Sequence, residues 1–378
     1  MPGTPGRIRL ALLFGGRSTE HAISCVSAGG VLRALDHAVY DVVPIGIDPD
    51  GRWILLPADA EVLRASSDQL PTVRAAAGRQ IVFAADPTAR RLILRDSADL
   101  PPGSPADAPP AAAPPADIDV VFPILHGPFG EDGTVQGLFE MAGVPYVGSG
   151  VFASAAAMDK EHMKAQLAAA GLPIGPYAVL RTGESLSEAD QRRLGLPVFV
   201  KPARGGSSIG ISRVDAWNDL ETAVKAARTH DPKVLVEAGI VGREIECGVL
   251  GRLDGPGAQA SLPAEITVDS AAGFYDFDAK YVSTRTRFDV PAVLSPQALD
   301  RIRSVAVRAF TALDCAGLAR VDVFLTPDEQ VVVNEVNTMP GFTPTSMFPR
   351  MWAASGLDFS ALVDRLIRLA LRDGAGLR

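Results

Sequence analysis

The sequence has few cysteines, no long apolar run and no excess of positive charge. Its 378 residues include three cysteines, Cys25, Cys247 and Cys315, which stand far apart and form no CxxC pair. This spacing gives no disulfide framework and is typical of reduced, buried thiols in a cytoplasmic protein. No stretch approaches the ~18 apolar residues that a membrane span needs, so no membrane partner is expected.

The formal net charge of −8 argues against nucleic acid as a main partner, because a phosphate backbone needs a basic protein face. A nucleotide needs only a few well-placed cations and is compatible with this charge. The N-terminal apolar run spans about six residues before two glycines, which is too short for a signal peptide and predicts a first buried strand. A chain of this length exceeds what one hydrophobic core usually serves, so two or three domains are expected.

Strand and helix signals alternate through residues 1–148 and predict an α/β domain with a mostly parallel sheet. Within it, residues 52–116 hold short strand-like segments and a Pro/Ala-rich linker at 101–116, which we interpret as an insertion. A glycine-rich loop between two strands places a second domain at 149–240. Residues 241–378 are predicted to form a third, α+β domain. Two helix details are also expected: a cap at Ser18 or Thr19 for the first helix, and one helix over 151–170.

The strongest local motif is GLARVDVFLTPDEQVVVNEVNTMPG at residues 317–341. Two apolar segments flank a TPDEQ turn and are predicted to pair as an antiparallel hairpin. Because side chains alternate faces, a register centred on the turn places Asp322 opposite Glu335 and Arg320 opposite Asn337. Opposed carboxylates ~5 Å apart need a cation between them. Two carboxylates and an amide oxygen suit Mg²⁺ shared with phosphates, and the polar face of a half-exposed sheet is the alternative.

A second motif, VFVKPARGGSSIGISRV at residues 198–214, joins two strands through glycines. The backbone N–H groups from Gly205 to Ser208 could surround phosphate oxygens, and Lys201 precedes them. The loop is neither a Walker A sequence nor a GxGxxG fingerprint. An ordinary flexible hairpin is the alternative, and Lys201 favours the phosphate interpretation.

Four weaker signals complete the pattern. Lys160 follows Met-Asp on a helix, where a lone lysine is usually solvated. Glu20 stands at a helix start, where an acid more often stabilises the helix dipole than forms a site. His126 follows a buried strand at its carboxyl end, where open α/β sheets bind ligands, although a histidine held by loop hydrogen bonds is an equal alternative. Residues 273–290 mix aromatic, acidic and glycine residues without period and predict a loop that could act as a lid.

These motifs, in this order, resemble the D-alanine–D-alanine ligases of the ATP-grasp superfamily. The resemblance covers nearly the whole chain outside residues 52–116 and depends on the ordered set, because any one motif would be weak. It implies a three-domain ATP-grasp fold, α/β and α+β, with an N-terminal Rossmann-like domain. The segments that carry it are GGRSTEHAIS, LHGPFGEDGTVQG, PYVGSG, MDK, VKPARGGSSIG, FYDFDAKY, GLARVDVF and NEVNTMPGFTPTS.

The resemblance implies a role for each residue of the ATP site. Lys160 and Lys201 resemble lysines that hold the phosphates, under a flap at residues 205–210. Glu237 resembles the acid that reads the adenine amino group. The remaining nucleotide and metal residues implied by the family are Gly206, Ser207 and Ser208 in the flap, Ile240 beside the adenine, Glu244 on the ribose, and Asp322, Glu335 and Asn337 as ligands of two Mg²⁺ or Mn²⁺ ions.

On the substrate side, the resemblance reverses the first interpretation of Glu20. Glu20 resembles the acid that binds the ammonium of the first D-alanine, and His126 resembles a histidine near it. The other substrate residues implied by the family are Ser207 and Tyr281, which link to Glu20, Arg320 and the Gly341 amide, which stabilise an oxyanion, and Ser346 with Lys280, which hold the second carboxylate.

The implied function is ATP-dependent joining of two D-alanines through a D-alanyl phosphate, for peptidoglycan precursor synthesis. The implied partners are D-alanine and ATP, and relatives are commonly homodimers. Alternatives are a D-alanine–D-lactate or D-alanine–D-serine ligase, a non-catalytic nucleotide-binding regulator, and another ATP-grasp carboxylase or ligase. Tyr281 after Lys280 favours the dipeptide product, because lactate-type relatives usually carry histidine there. The flap near Gly206 and Ala238 after Glu237 depart from the pattern of many relatives.

Overall fold

We analysed a computed structural model of the chain, which describes residues 6–57, 63, 70–88, 92–94, 117–206, 208–268 and 286–376. The described strands are β1 (Ile8–Gly15), β2 (Tyr40–Ile47), β3 (Trp53–Leu55), β4 (Arg79–Phe83), β5 (Leu92–Leu94), β6 (Val120–Ile124), β7 (Tyr177–Leu180), β8 (Val198–Pro202), β9 (Ser212–Val214), β10 (Val234–Ala238), β11 (Arg243–Gly251), β12 (Ala258–Ala260), β13 (Ala264–Val268), β14 (Thr286–Asp289), β15 (Leu318–Leu325) and β16 (Val331–Asn337). The described helices are α1 (His21–Ala34), α2 (Thr134–Ala142), α3 (Val151–Met158), α4 (Lys160–Ala169), α5 (Glu188–Leu194), α6 (Leu220–Arg228), α7 (Pro296–Ala312), α8 (Met347–Ala354) and α9 (Phe359–Asp373).

The N-terminal sheet has the strand order β5-β4-β3-β2-β1-β6. Its centre is parallel, since β1 pairs in parallel with β2 and with β6. The short strands β3, β4 and β5 extend the same sheet with antiparallel pairing. The sheet is therefore mixed and not mostly parallel as predicted, because these strands of the predicted insertion are part of it. The 101–116 linker lies outside the described residues.

The N-terminal helix begins one residue later than the predicted cap allows. Glu20, and not Ser18 or Thr19, occupies the N-cap position of α1, and its side chain makes no capping hydrogen bond. The carboxylate of Glu20 therefore does not serve as the cap of α1.

The second sheet has the order β7-β10-β8-β9 and is antiparallel throughout. Helix α6 packs on it and closes a separate apolar core that includes Val200, Val224 and Val236. The third sheet has the order β14-β13-β11-β15-β16, and β12 pairs with β11. Helices α3, α4 and α7 cover it. The two sheets are thus separate layers that can face each other across a cleft.

The predicted helix over 151–170 is two helices. Helix α3 ends before Asp159, whose backbone is extended, and α4 starts at Lys160. The Asp159 side chain caps α4 by accepting from the amides of Glu161 and His162. Lys160 is consequently the first residue of a helix and not a residue in the middle of one.

The last helix, α9, packs on the N-terminal sheet. Leu366 and Ile367 share one buried core with Leu10, Leu12 and other residues of β1. Among the described helices, none combines the length and the apolar character that crossing a membrane requires.

Candidate active site

A cleft between the second and third sheets brings most of the predicted nucleotide residues together. Its walls come from the loop after β8, the ends of β10 and β11, the β15–β16 hairpin and the start of α4. Residues of the sequence prediction that line it are Lys160, Lys201, Gly206, Ser208, Glu237, Ile240, Glu244, Arg320, Asp322 and Glu335. Asn337 lines a smaller adjoining cavity that shares Lys160, Gly206 and Glu335 with the cleft.

Lys160 is attached to the glycine-rich loop. Its Nζ donates to the carbonyl oxygen of Gly205 at 2.7 Å, and its backbone N–H donates to the carbonyl of Ala203. The side chain is buried. The first turn of α4 and the base of the loop therefore form one unit, with an ammonium group placed at the mouth of the loop.

Lys201 is paired with the predicted adenine-reading acid. Its Nζ lies 2.6 Å from Glu237 Oε2. The register of β8 and β10 places Lys201 beside Leu235, so Lys201 and Glu237 lie on the same face of the sheet. Burial alone would raise the pKa of Glu237, but the ammonium groups of Lys201 and Lys164 outweigh burial and hold that pKa below its ordinary value.

Lys164 is a cleft residue that the sequence analysis did not identify. It is 2% exposed, and its Nζ lies 3.3 Å from Glu237 Oε1. Glu237 Oε1 makes no hydrogen bond of normal geometry with any described residue. Burial lowers the pKa of Lys164, and the Glu237 carboxylate opposes that effect. Spacing could have revealed this lysine, because residues four apart share a helix face and Lys164 follows Lys160 by four.

Many of the side chains that line the cleft with Glu237 are apolar. They suit a flat ring better than a charged group, because apolar surface gains from being covered. The apolar residues that line the cleft include Phe199, Ile209, Ile211, Ile240, Ile266, Val323, Phe324 and Val333.

The hairpin has the predicted register. Asp322 pairs with Glu335 and Arg320 pairs with Asn337, although an irregularity follows Asp322. Arg320 holds the Asp322 carboxylate through two hydrogen bonds, Nε to Oδ1 at 2.7 Å and Nη2 to Oδ2 at 2.6 Å. Asn337 Nδ2 donates to Asp322 Oδ2 at 3.1 Å. The cation that the opposed acids need is here the Arg320 guanidinium.

Arg320 also reaches a second acid. Its Nε lies 3.3 Å from Glu246 Oε1, on the neighbouring strand β11. Burial alone would lower the pKa of Arg320, but Asp322 and Glu246 raise it well above its usual value. Glu246 was missed from sequence, although the alternation of side chains along β11 places it on the same face as Glu244.

The hairpin acids fit a hard divalent ion. Asp322, Glu335 and Asn337 offer carboxylate and amide oxygens at one end of the cleft, which is the donor set that Mg²⁺ and Mn²⁺ prefer. A different group of possible ligands, Asp159, Glu161 and His162, also converges. That group already surrounds an ammonium, since Lys233 Nζ lies 2.6 Å from Asp159 and 2.8 Å from Glu161.

Glu20 lies against both the N-terminal domain and the glycine-rich loop. A Cβ added to Gly127 would lie 3.0 Å from Glu20 Oε2, and one added to Gly206 would lie 3.3 Å from it. Gly127 has a φ of +72°, a conformation that favours glycine. Glycine is therefore favoured at Gly127, and the Glu20 carboxylate, at the start of α1, lies close to the flap at Gly206.

His126 and Glu131 join the first sheet to the end of the hairpin. His126 Nδ1 lies 3.0 Å from the carbonyl oxygen of Met339. Glu131 accepts from the amides of Gly127, at 2.7 Å, and Met339, at 3.1 Å. His126 Nε2 is buried without a hydrogen-bond partner among the described residues, and burial lowers the pKa of this ring. Glu131 was missed from sequence, although it follows the predicted His126 by five residues.

The segment after Met339 places the two remaining predicted residues together. A Cβ on Gly341 would lie 3.3 Å from Ser346 Oγ. Ser346 is the N-cap residue of α8, yet its hydroxyl accepts from the amide of Thr343 instead of capping that helix. Ser207, Lys280, Tyr281 and most of the predicted lid at 273–290 lie outside the described residues.

The cleft combines two lysines at a glycine-rich loop, a buried acid among apolar side chains, and paired acids on a hairpin. This combination defines an ATP-dependent ligase of the ATP-grasp fold. Family comparisons are consistent with that class. The family model described as D-ala D-ala ligase N-terminus matches residues 9–149, and the model described as D-ala D-ala ligase C-terminus matches residues 166–368.

Individual relatives extend over the whole chain. A D-alanine–D-alanine ligase of Frankia casuarinae is 70% identical over 384 residues, with all of both chains covered. One of Mycobacterium avium is 56% identical, with 98% of this chain and 99% of that protein covered. The solved D-alanine–D-alanine ligase of Coxiella burnetii is similar at a TM-score of 0.80 and 36% identity, covering 97% of this chain and 94% of that one. A D-Ala:D-Ser ligase of Enterococcus faecalis is similar at a TM-score of 0.80 and 34% identity, covering 97% of this chain and all of that one. The chain belongs to the D-alanine–D-alanine ligase family.

Proposed function

We propose that this chain joins two D-alanines in an ATP-dependent reaction and that the cleft described above is where it does so. The carboxylate of the first D-alanine attacks the γ-phosphate of ATP and releases ADP. The amine of the second D-alanine then attacks the acyl phosphate, and phosphate leaves as the dipeptide forms. The observation that carries the proposal is the convergence of Lys160, Lys201, Glu237 and the hairpin acids on one cleft whose flap touches Glu20.

The nucleotide lies with its base in the apolar slot and its phosphates under the flap. Glu237 Oε1 needs a donor, and the amino group of adenine supplies one, while Ile240 packs beside the ring. Glu244 holds the ribose. Lys160 and Lys201 bind the phosphates together with backbone amides of the flap, which include those of Gly206, Ser207 and Ser208.

Asp322, Glu335 and Asn337 would hold two Mg²⁺ or Mn²⁺ ions. When bound, such ions neutralise the phosphate oxygens and help align the transferred group. Before nucleotide and metal bind, the contact between Arg320 and Asp322 offsets the repulsion between the carboxylates of Asp322 and Glu335, because two unpaired acids so close would repel.

The first D-alanine binds beside Glu20, whose carboxylate pairs with the substrate ammonium group. Glu20 lies within reach of both the flap and the His126 loop, so the substrate carboxylate can point toward the phosphates. His126 offers its unpaired Nε2 on the same side. By resemblance, Ser207 and Tyr281 link to Glu20.

The second addition creates a negative oxygen on the attacked carbon. Arg320 and the N–H of Gly341 stabilise that oxygen, and removing one such donor typically costs ~3–4 kcal/mol. Arg320, which holds Asp322 through two hydrogen bonds in this structure, turns from that carboxylate toward the new oxygen. Ser346 and Lys280 hold the carboxylate of the second D-alanine.

The acyl phosphate must be kept from water, so the flap at 205–210 and the lid at 273–290 close over it.

We further propose that the domain limits are 1–148, 149–240 and 241–378, that the enzyme acts in the cytoplasm in peptidoglycan precursor synthesis, and that it is a homodimer.

The metal assignment is tested with Glu335→Gln. The variant keeps the shape of the side chain and loses its charge, so Mg²⁺-dependent ADP release should fall by about 100-fold or more, since even outer contacts of a metal site are worth 10–100-fold. Glu221→Gln, in an exposed pair with Lys225, is the control. Unchanged ADP release in Glu335→Gln would refute the metal assignment.

A D-Ala:D-Ser ligase is the second candidate, because one of the similar solved structures has that activity. The test supplies D-alanine with an equal amount of D-serine or D-lactate near neutral pH and identifies the product by mass. D-Alanyl-D-alanine as the main product supports the proposal, and a mixed product in excess of it supports the second candidate.

A further inference from the structure

Lys164 is a third buried lysine of the cleft, beside Lys160 and Lys201. It is on α4, one turn after Lys160, and 2% of it is exposed. Three elements surround it: its own helix, Glu237 of β10 at 3.3 Å, and the ring of Tyr177 of β7, whose centroid is 5.7 Å from Nζ. Tyr177 is directly paired with Glu237 across the sheet. The ammonium is thus held between a carboxylate and an aromatic face.

Glu237 has two ammonium partners in this structure, Lys164 and Lys201, and the proposed function assigns Lys201 to the phosphates when ATP binds. A buried carboxylate left without a cation tends to take up a proton instead of remaining charged. Lys201, 2.6 Å from Glu237, also serves the phosphates, which lie at the opposite end of the nucleotide from the base. Once Lys201 turns to the phosphates, Lys164 is the described cation that remains on Glu237.

We infer that Lys164 is a positioning residue that keeps Glu237 ionised and so sets the preference of this enzyme for adenine over bases that carry a carbonyl in place of the amino group. The inference deepens the proposed function and rests on the assignment of Glu237 to the adenine amino group.

The discrimination follows from the chemistry of the two bases. A carboxylate only accepts hydrogen bonds, so it binds the adenine amino group and repels the carbonyl oxygen of hypoxanthine. A neutral carboxyl can donate to that oxygen as well as accept from an amino group, so it distinguishes the two bases poorly. The charge on Glu237, and with it Lys164, therefore decides between ATP and ITP.

The test compares kcat/KM for ATP and ITP, at saturating D-alanine and Mg²⁺, in the wild-type enzyme and in Lys164→Met. In the variant, the ratio of kcat/KM for ATP to kcat/KM for ITP should fall about tenfold, which is the effect of one hydrogen bond to a charged group. The change should lie mainly in the KM for ATP, with kcat little altered. Lys164→Gln, which keeps a hydrogen-bond donor without the charge, should lose the same preference. Calorimetric binding of ADP and IDP gives the same comparison without turnover.

Glu237→Gln and a double variant test the role of Glu237 separately from that of Lys164. Glu237→Gln should abolish the preference, and adding Lys164→Met to it should change the ratio by no more than about twofold. If Glu237→Gln keeps the wild-type preference, the assignment of Glu237 fails and the inference fails with it. If Glu237→Gln loses the preference and Lys164→Met keeps it, only the inference about Lys164 is overturned.

Lys201→Met tests the inference with Lys164 intact, which matters if the Lys164 variants do not fold. This variant should bind nucleotides weakly, because a phosphate contact is lost, yet keep the wild-type ratio of ATP to ITP. Loss of the ratio in Lys201→Met would mean that Lys201 stays on Glu237 when nucleotide is bound, and would overturn the inference. Lys225→Met, in an exposed pair, is the matched control in every comparison.

Discussion

At the scale of single residues, the basic and acidic side chains of this site are already paired with one another before any ligand binds. Arg320 serves Asp322 and Glu246, and Lys201 serves Glu237. The sequence predicted which residue types gather, because Arg320, Asp322 and Glu335 follow from the alternation of a hairpin. It could not predict the Lys201–Glu237 pair, since nothing local relates two residues that meet only after β8 and β10 pair.

Glu131 gives the enzyme a pH-dependent stability. Burial and, after it, the nearby Glu20 carboxylate raise the pKa of Glu131 from 4.5 to about 8. Between these two values the unfolded chain releases a proton that the folded chain retains. Stability therefore falls as the pH rises from about 5 to about 8.

Glu131→Gln removes this titration. The melting temperature of the variant, measured relative to that of the wild type, should rise by about 4–5 °C between pH 5 and pH 8, because a pKa difference of this size corresponds to ~3–4 kcal/mol over that range. Glu188→Gln, on an exposed helix, should show no such trend. A constant difference between Glu131→Gln and the wild type across this range would contradict the prediction.

At the scale of elements, the junction of α3 and α4 shows where local reasoning stops. Residues 151–170 are rich in alanine and favour one helix, yet the chain turns at Asp159. The turn is stabilised by Lys233, which reaches Asp159 and Glu161 from the start of β10. The hairpin register, by contrast, was predictable because a short turn and period-two alternation are both local.

Lys233→Met should disturb this junction. Removing one partner of a buried ion pair typically costs ~3–5 kcal/mol, and here the buried Asp159 carboxylate loses the ammonium beside it, whereas Glu161 keeps Arg181. The KM for ATP should also rise, since Asp159 caps the helix that begins with Lys160. Thermal unfolding and ATP kinetics measure the two effects.

Lys225→Met is the matched control for that experiment. Lys225 pairs with Glu221 on α6, but both side chains are more than 70% exposed, and such pairs are worth ~0–0.5 kcal/mol. Equal losses of stability in the two variants, or an unchanged KM for ATP in Lys233→Met, would contradict the importance of Lys233.

At the scale of the whole molecule, one core joins the two ends of the described chain. Helix α9 covers the N-terminal sheet, and Tyr40 on β2 donates to Asp364 on α9 at 2.6 Å. The alternation of strand and helix signals predicted the parallel centre of the first sheet, but not its antiparallel extension and not the packing of α9 against its core. That partner lies more than 300 residues away, and amphipathic periodicity shows only that α9 has an apolar face.

Leu366→Ala tests this shared core. Leu366 is fully buried, so the truncation should lower the free energy of unfolding by ~2–5 kcal/mol. The first sheet and α9 should still unfold together, as followed by hydrogen exchange of amides in β1 and α9.

Leu70→Ala makes the same chemical change at a leucine that is 58% exposed and should have little effect. Protection of β1 that persists after α9 has exchanged would mean that the sheet is stable without the helix, and would contradict the prediction.

The position of α9 also bears on how the chain is made. Tyr40 and Asp364 are separated by 324 residues, which a ribosome working at ~5–20 residues per second takes about 15–65 seconds to add. During that interval β1 and β2 have left the exit tunnel and α1 can pack on β1, but the helix that completes this core does not yet exist. The nascent chain therefore carries an incompletely covered apolar surface for most of its synthesis, which is the kind of exposed surface that makes folding intermediates prone to aggregate.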